Sequence, residues 1–311
     1  MPRPYLSVYG HTALDYILTL EHMPSSNTSV DVREKKRYFG GTGANMATIA
    51  ASLGVPTALC SFVGRDMPEE FKSFMAGRGV DLRDLVEVEG EETPTVWIVS
   101  DRFHNQIAYV YQGSMARMES YELRTGAASE AEVVHICTGR PGYYLRVMEE
   151  CRRLGKHVSF DPAQEIHHIW NADTFRRALP MCQTFFANEN ELRRAMGYMG
   201  VSSPEELLGT VQTIVNTRGA RGSVVYCKEG TYEIPTVEPA KIVDTTGAGD
   251  AFRAGFYAGR YRGHTLTECS VMGSAAASFA IESVGSLTRI PTWDEVFERS
   301  RRVIEGLRGE D

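Results

Sequence analysis

Short apolar runs alternate along the chain with longer segments whose apolar positions recur every three or four residues, and this alternation predicts most of the elements. Tyr5 to Tyr9, Tyr16 to Leu20, Thr57 to Val63 and Leu85 to Val88 read as strands, with helices over Ala44 to Leu53 and Met67 to Gly77. Thr95 to Ser100 and Gln106 to Tyr111 alternate with period two around an Asp101 to Asn105 turn, which predicts a hairpin. From Val133 the two patterns take turns: strand Val133 to Cys137, helix Tyr143 to Leu154, strand His157 to Phe160, helix Thr174 to Leu179, strand Thr184 to Ala187. Val211 to Asn216 then turns through Thr217 to Gly222 into Ser223 to Cys227. Helices over Asp250 to Gly259, Thr267 to Ile281 and Trp293 to Leu307 close the chain, the second rich in small residues suited to close packing. This rhythm makes βαβ units and an α/β fold with a mostly parallel sheet flanked by helices. No internal repeat, low-complexity tract or linker interrupts it, so a single domain over residues 1–311 is expected.

Three stretches carry candidate chemistry. In Asp244-Thr245-Thr246-Gly247-Ala248-Gly249-Asp250-Ala251-Phe252, two glycines bracket a small residue just before a helical pattern begins. The first amides of a helix lack intrahelical partners and sit at the positive end of its dipole, so Gly247, Ala248 and Gly249 make an anion site without a basic side chain. Asp250 beside that site suits a base that takes the proton of a hydroxyl attacking the anion. A glycine-rich turn with Asp as an ordinary helix-start residue is the bland alternative.

Phe39-Gly40-Gly41-Thr42-Gly43-Ala44-Asn45-Met46-Ala47 is a second glycine-rich helix entry. It is not a dinucleotide fingerprint, because Met46 stands where the third glycine is needed, and no GxxxxGK[ST] loop occurs in the chain. Asn188-Glu189-Asn190-Glu191 is a good helix cap with acids in the first turn. Asp15, between the first two strand patterns, and Asp161 to Glu165, after a strand, both fall where a parallel sheet opens its ligand crevice.

Composition narrows the partners. The chain of 311 residues is 42% hydrophobic and 23% charged with a formal charge of −7, which suits a soluble globular protein and disfavours a nucleic-acid or membrane surface as the main partner. Arg33, Lys35, Lys36 and Arg37 form the densest basic cluster, read as a solvated strand edge. Six scattered cysteines lack zinc-ligand spacing and read as reduced thiols, and His167 with His168 as loop residues. No run nears the ~18 apolar residues of a membrane span, so a cytoplasmic protein is expected.

Taken whole, Asp244 to Phe252 resembles the C-terminal signature of the ribokinase-like (phosphofructokinase B-type) carbohydrate and nucleoside kinases, and Phe39 to Ala47 resembles their N-terminal signature. The resemblance implies a three-layer αβα fold with a small β-sheet lid, built from about 14–39 and 93–112, that closes over the substrate. It implies Asp250 as the base, the Gly247 to Asp250 amides on the transferring phosphoryl, and Asp15, Gly41, Thr42 and Asn45 at the sugar. Gln106, Gln164 and Glu165 join the substrate-binding set. Asn188 and Glu191 resemble the NxxE element that organises water around the Mg2+ of ATP, and Thr217, Gly219 and Gly222 the nucleotide-binding turn. In potassium-dependent relatives, residues matching Asp244 and Thr246, with carbonyls of the Gly285 loop, hold K+. A homodimer through the lid also follows from its strand edges.

Ala13 and Thr42 replace an Asn and a Lys typical of ribose kinases. Gly41 to Ala47, Glu150 to Gly155, Asp161 to Gln164 and Gly249 to Phe256, with Arg253, look closer to actinobacterial-type adenosine kinases. In those relatives lid phenylalanines sandwich the purine; here Val96 and Val110 hold the positions, leaving Trp97, Phe103 or Tyr109 to supply a ring. The expectation is an ATP-dependent nucleoside kinase acting on a ribose 5′-hydroxyl, adenosine favoured. The alternatives are a kinase of ribose, fructose or a phosphosugar and, more remotely, a catalytically silent nucleoside sensor, which would be expected to have lost Asp250 or a turn glycine.

Overall fold

The computed structural model describes residues 3–103 and 105–308. Thirteen strands are formed: β1 (Leu6–Tyr9), β2 (Ala13–Leu20), β3 (Val32–Gly40), β4 (Thr57–Gly64), β5 (Asp81–Val88), β6 (Thr95–Asp101), β7 (Gln106–Tyr111), β8 (Val133–Ile136), β9 (His157–Phe160), β10 (Thr184–Asn188), β11 (Thr213–Thr217), β12 (Ser223–Cys227) and β13 (Gly230–Ile234). The α-helices are α1 (Thr42–Ser52), α2 (Glu69–Gly77), α3 (Gly126–Glu130), α4 (Pro141–Arg153), α5 (Ala172–Ala178), α6 (Glu189–Met199), α7 (Pro204–Leu207), α8 (Ala248–Tyr261), α9 (Leu266–Ala280) and α10 (Trp293–Arg308).

The large sheet runs β13-β12-β11-β10-β9-β8-β1-β4-β5, parallel from β11 to β5, with β12 and β13 added antiparallel. Its side chains alternate between two separate cores, as period-two strands buried on both faces must. Leu6 and Val8 of β1, Leu59 and Val63 of β4 and Phe186 of β10 pack with α1, α2, α8, α9 and α10. Tyr9, Cys60, Phe62, Phe185 and Ala187 from the same strands pack with α4, α5, α6 and α7. Helix, sheet, helix is the expected three-layer arrangement. The six cysteines are free and buried, and no described helix is long and apolar enough to cross a membrane.

A separate four-stranded sheet runs β3-β2-β6-β7, with β2 and β6 parallel and the expected β6–β7 hairpin antiparallel. Its outer strands differ sharply. The exposed β3 edge carries Arg33, Lys35, Lys36 and Arg37, whereas β7 exposes Ile107, Tyr109, Val110 and Tyr111.

Three of the departures from the sequence expectation have a simple local cause. Asp15 lies inside β2 rather than in a turn before it, because the strand begins at Ala13. Helix α8 starts at Ala248, two residues earlier than the apolar spacing indicates, because glycine and alanine carry no periodic signal. Strand β5 extends back to Asp81, through the charged residues Asp81, Arg83 and Asp84 that mask it.

Candidate active site

The C-terminal ends of β1, β8, β9, β10 and β11 lie along one edge of the large sheet, so the loops that follow them share one crevice. Asn188 at the end of β10 is the register neighbour of Thr217 at the end of β11. Helix α1 is seated on the end of β1 by direct backbone contact: a Cβ on Gly43 would stand 2.7 Å from the carbonyl carbon of Gly10. The amide of Ala44 donates to the carbonyl of His11 across 3.1 Å.

Helix α8 starts at the same place. Gly247 turns the chain into it with φ of 77°, a left-handed conformation that a side chain disfavours, and a Cβ there would run into Ser286. The first turns of α1 and α8 are then joined by Asn45 Nδ2 donating to Asp250 Oδ2 across 2.8 Å. Asp250 is partly buried, and burial raises its carboxyl to about 7; Asn45 and Arg253 pull it down, while Asp161 and Asp15 push it up. Asp15 is 9% exposed, lies against Gly40, and is raised to about 6 by burial and then by Asp244. Asp15 Oδ1 and Asn45 Oδ1 are buried acceptors without a partner. A ligand carrying hydroxyl donors completes them.

A chain of polar side chains, missed from sequence, runs behind these groups. His11 Nε2 meets Gln112 Oε1 at 2.6 Å and His11 Nδ1 meets Thr138 Oγ1 at 2.7 Å; Thr138 meets Thr42 Oγ1 at 2.5 Å. Gln112 Nε2 donates to Glu165 Oε1 across 3.4 Å, and the Gly139 amide donates to the other oxygen of Glu165. An amide oxygen only accepts, so His11 Nε2 donates to Gln112 Oε1. The substrate candidates Thr42 and Glu165 therefore use their polar atoms within the protein. The signal available was position: His11 follows β1 at the crevice edge, as Asp161 follows β9.

The remaining candidates divide. Gln164 is exposed and Gly41 accepts the Asn45 amide at 2.8 Å at the start of α1. Gln106 pairs with Ser100 at the outer end of β7; its side chain lies outside the described residues. Asp15 pairs with Tyr38 and Val96, and Val96 with Val110, so these four form one row on one face of the small sheet. Trp97 and Tyr109 share the row of Tyr16, on the opposite face, and Phe103 sits in the hairpin turn, 60% exposed. The expectation that Trp97 or Tyr109 could replace a stacking ring beside Asp15 is thus overturned by the period of two: one residue's offset reverses the face.

Asn188 and Glu191 form a reciprocal cap: Asn188 Oδ1 accepts the Asn190 and Glu191 amides at 2.9 and 3.0 Å, and Glu191 Oε2 accepts the Asn188 amide at 2.7 Å. Glu191 is 3% exposed and its carboxyl is raised by burial and by Asp161. Thr217 opens a turn closed by the Arg218 amide on the Gly222 carbonyl at 2.8 Å, with Gly219 inside it. Arg218 and Arg221 pair with Glu233 and Glu189 at the surface. Asp244 accepts the Thr246 amide at 2.9 Å and the Gly285 amide at 3.1 Å, one on each carboxylate oxygen. Among the described residues no cluster of three His, Cys, Asp or Glu is spaced to ligate a metal.

Residues 3–293 match the pfkB family carbohydrate kinase profile. The chain is 36% identical over 295 residues to a nucleoside kinase of Methanothermobacter thermautotrophicus, covering 94% of each. The crystal structure of the Methanocaldococcus jannaschii nucleoside kinase, an archaeal member of the ribokinase family, superposes with a TM-score of 0.90 at 33% identity, over 96% of this chain and 99% of that one. A Burkholderia thailandensis nucleoside kinase shares the fold, with a TM-score of 0.86 at 24% identity over 96% and 97% of the two chains. The match over residues 3–293, on this three-layer scaffold and with this breadth of likeness, places the chain in the pfkB family of carbohydrate kinases, as a phosphotransferase with an alcohol acceptor.

Proposed function

We propose that the protein is an ATP-dependent nucleoside kinase that phosphorylates the ribose 5′-hydroxyl, with adenosine the favoured acceptor. The observation that carries the chemistry is the Asn45–Asp250 contact, which fixes a carboxylate of raised proton affinity at the N-terminus of α8. The nucleoside class is supported by relatives of that name in Methanothermobacter thermautotrophicus and Methanocaldococcus jannaschii, at 36% and 34% identity.

In this reading Asp15 and Asn45 accept ribose hydroxyls on their unpartnered oxygens. Asp250 accepts the 5′-proton as that oxygen attacks the γ-phosphorus and the bond from that phosphorus to the β–γ bridging oxygen breaks, releasing ADP. The amides of Gly247, Gly249 and Asp250 take up charge on the transferring phosphoryl, whereas the Ala248 amide, expected to join them, donates to the Thr245 carbonyl at 3.3 Å. Thr217, Gly219 and Gly222 border the nucleotide. Asn188 and Glu191 would order the water of a Mg2+ ion, which would supply charge neutralisation to the phosphates. Asp244, Thr246 and the Gly285 loop would hold K+, each carboxylate oxygen of Asp244 keeping a lone pair beyond its amide bond. The small sheet serves as a lid whose Asp15 row meets the nucleoside and excludes water that would compete for the phosphoryl group. Its apolar β7 edge offers a surface for a homodimer.

A panel of adenosine, guanosine, cytidine, ribose and fructose 6-phosphate, each with ATP and Mg2+, tests the reading. Turnover on nucleosides with adenosine foremost is expected. Turnover confined to ribose or fructose 6-phosphate overturns the substrate class, and nucleoside-induced thermal stabilisation without turnover of any acceptor overturns the activity.

A further inference from the structure

Arg253 is the buried arginine or lysine of the described residues, at 6% exposure, and nothing in the chemistry above uses it. It lies one helical turn beyond Asp250 on α8. Its Nε stands 2.6 Å from Asp161 Oδ2 in the loop after β9, and its guanidinium lies 5.7 Å from the ring centre of Phe186 on β10. Its Nη1 is 2.8 Å from where a Cβ on Gly249 would stand, so the guanidinium packs directly beneath the turn that presents the free amides. A larger residue than glycine at 249 would displace it.

The groups facing Arg253 come from every neighbouring element. Asp161 follows β9, Glu191 is on α6, Asp250 is on its own helix and His135 is on β8. His135 is held neutral by burial and by Arg253 itself, with Nδ1 2.9 Å from the Tyr257 hydroxyl. Asp250 is further faced by Asn45 from α1 and Asp15 from β2. Three buried or partly buried carboxyls thus surround one fixed cation, which deletion would leave uncompensated.

We propose that Arg253 is a positioning residue of the phosphoryl-transfer step. Anchored by Asp161, it holds the Gly249–Asp250 peptide against the site and keeps the Asp250 carboxylate charged until it receives the proton. This rests on Asp250 being the base. The competing role is a plain counterion for Asp161, important to folding alone.

The test compares Arg253→Lys, Arg253→Gln and the double variant Asp161→Asn/Arg253→Gln, which removes both charges and so spares the fold an unpaired buried ion. The double variant, shown folded by thermal unfolding, is expected to lose about 10²-fold in kcat with nucleoside KM little changed. The acidic limb of its rate profile should move to higher pH, since Arg253 outweighs Asp161 among the charges acting on Asp250. Arg253→Lys keeps a charge without the planar fork, so its limb should stay near wild type while kcat falls. A folded double variant with wild-type kcat and an unmoved limb overturns the proposal. A 13C-carboxyl titration of Asp250 in wild type and double variant reads the same effect without turnover: a raised midpoint supports the role of Arg253, an unchanged one overturns it. That measurement is independent of the acceptor panel, which alone decides the nucleoside reading.

Discussion

Asn45 donates to Asp250, 205 residues further along the chain, so the start of α1 orients the carboxyl at the start of α8. The bond also favours the charged form of Asp250 against the cost of its burial. Asn45→Ala should therefore raise the Asp250 pKa. Turnover should fall most below neutral pH and recover in part above it. A rate profile for the variant that parallels wild type at every pH would show that the bond does not tune the acid.

Asp250→Asn should lower kcat by about 10²–10⁴ while the fold stays intact. Stability supplies a second readout with a definite sign. The folded carboxyl titrates near 7, above the ordinary carboxylate range, so between the two values the native state holds a proton that the unfolded chain has released. This group's contribution to stability is thus greatest below the unfolded pKa and declines as pH rises toward 7. Melting temperatures of the Asn variant should lose that component of the pH slope; near-normal turnover would remove Asp250 from the role of base.

On the small sheet, Val96 and Val110 flank the Asp15 row with aliphatic rather than aromatic surface. Val96→Phe or Val110→Phe should lower nucleoside KM, since stacking on a base is worth about 1–3 kcal/mol. Trp97→Ala, on the far face, should leave KM near wild type. Steady-state kinetics with adenosine and cytidine would reveal the opposite pattern if the face assignment were inverted.

Asp244 ties the Thr246 amide to the Gly285 loop, and a cation bound there would stiffen the approach to the anion turn. Replacing K+ by choline at constant ionic strength should reduce turnover, and Asp244→Ala should abolish the difference between the two salts. Equal rates in both salts for the wild type would exclude a cation role for this loop.

Much of this arrangement is legible in the residues themselves. Asp244 to Phe252 announces a glycine turn before a helix, and Phe39 to Ala47 announces another. Yet only the fold reveals that the two helix starts touch. The parallel sheet is legible from alternation, because its strands are short, apolar and bounded by turns. Face assignment on the small sheet is not, since it depends on which strands pair and in what register; Val96 and Trp97 are neighbours in sequence and opposites in space. The His11–Gln112–Glu165 chain is hidden for a similar reason: its members come from three separate segments and carry no shared spacing. Arg253 is visible as an oddity in the string after Asp250, but its partner Asp161 lies far back in the chain.

The long separation of Asn45 from Asp250 bears on the order of synthesis. At about 5–20 residues per second, ribosomes add the intervening chain over roughly 10–40 s. For most of that interval β1, α1 and β4 have been made, while the helix carrying Asp250 and its glycine turn has not. A nascent chain therefore passes through a long stage in which the Asp15 side of the crevice is made but Asp250, the proposed base, is not. Premature termination anywhere before α8 yields a fragment that lacks Asp250 and its glycine turn, and with them the groups proposed for phosphoryl transfer.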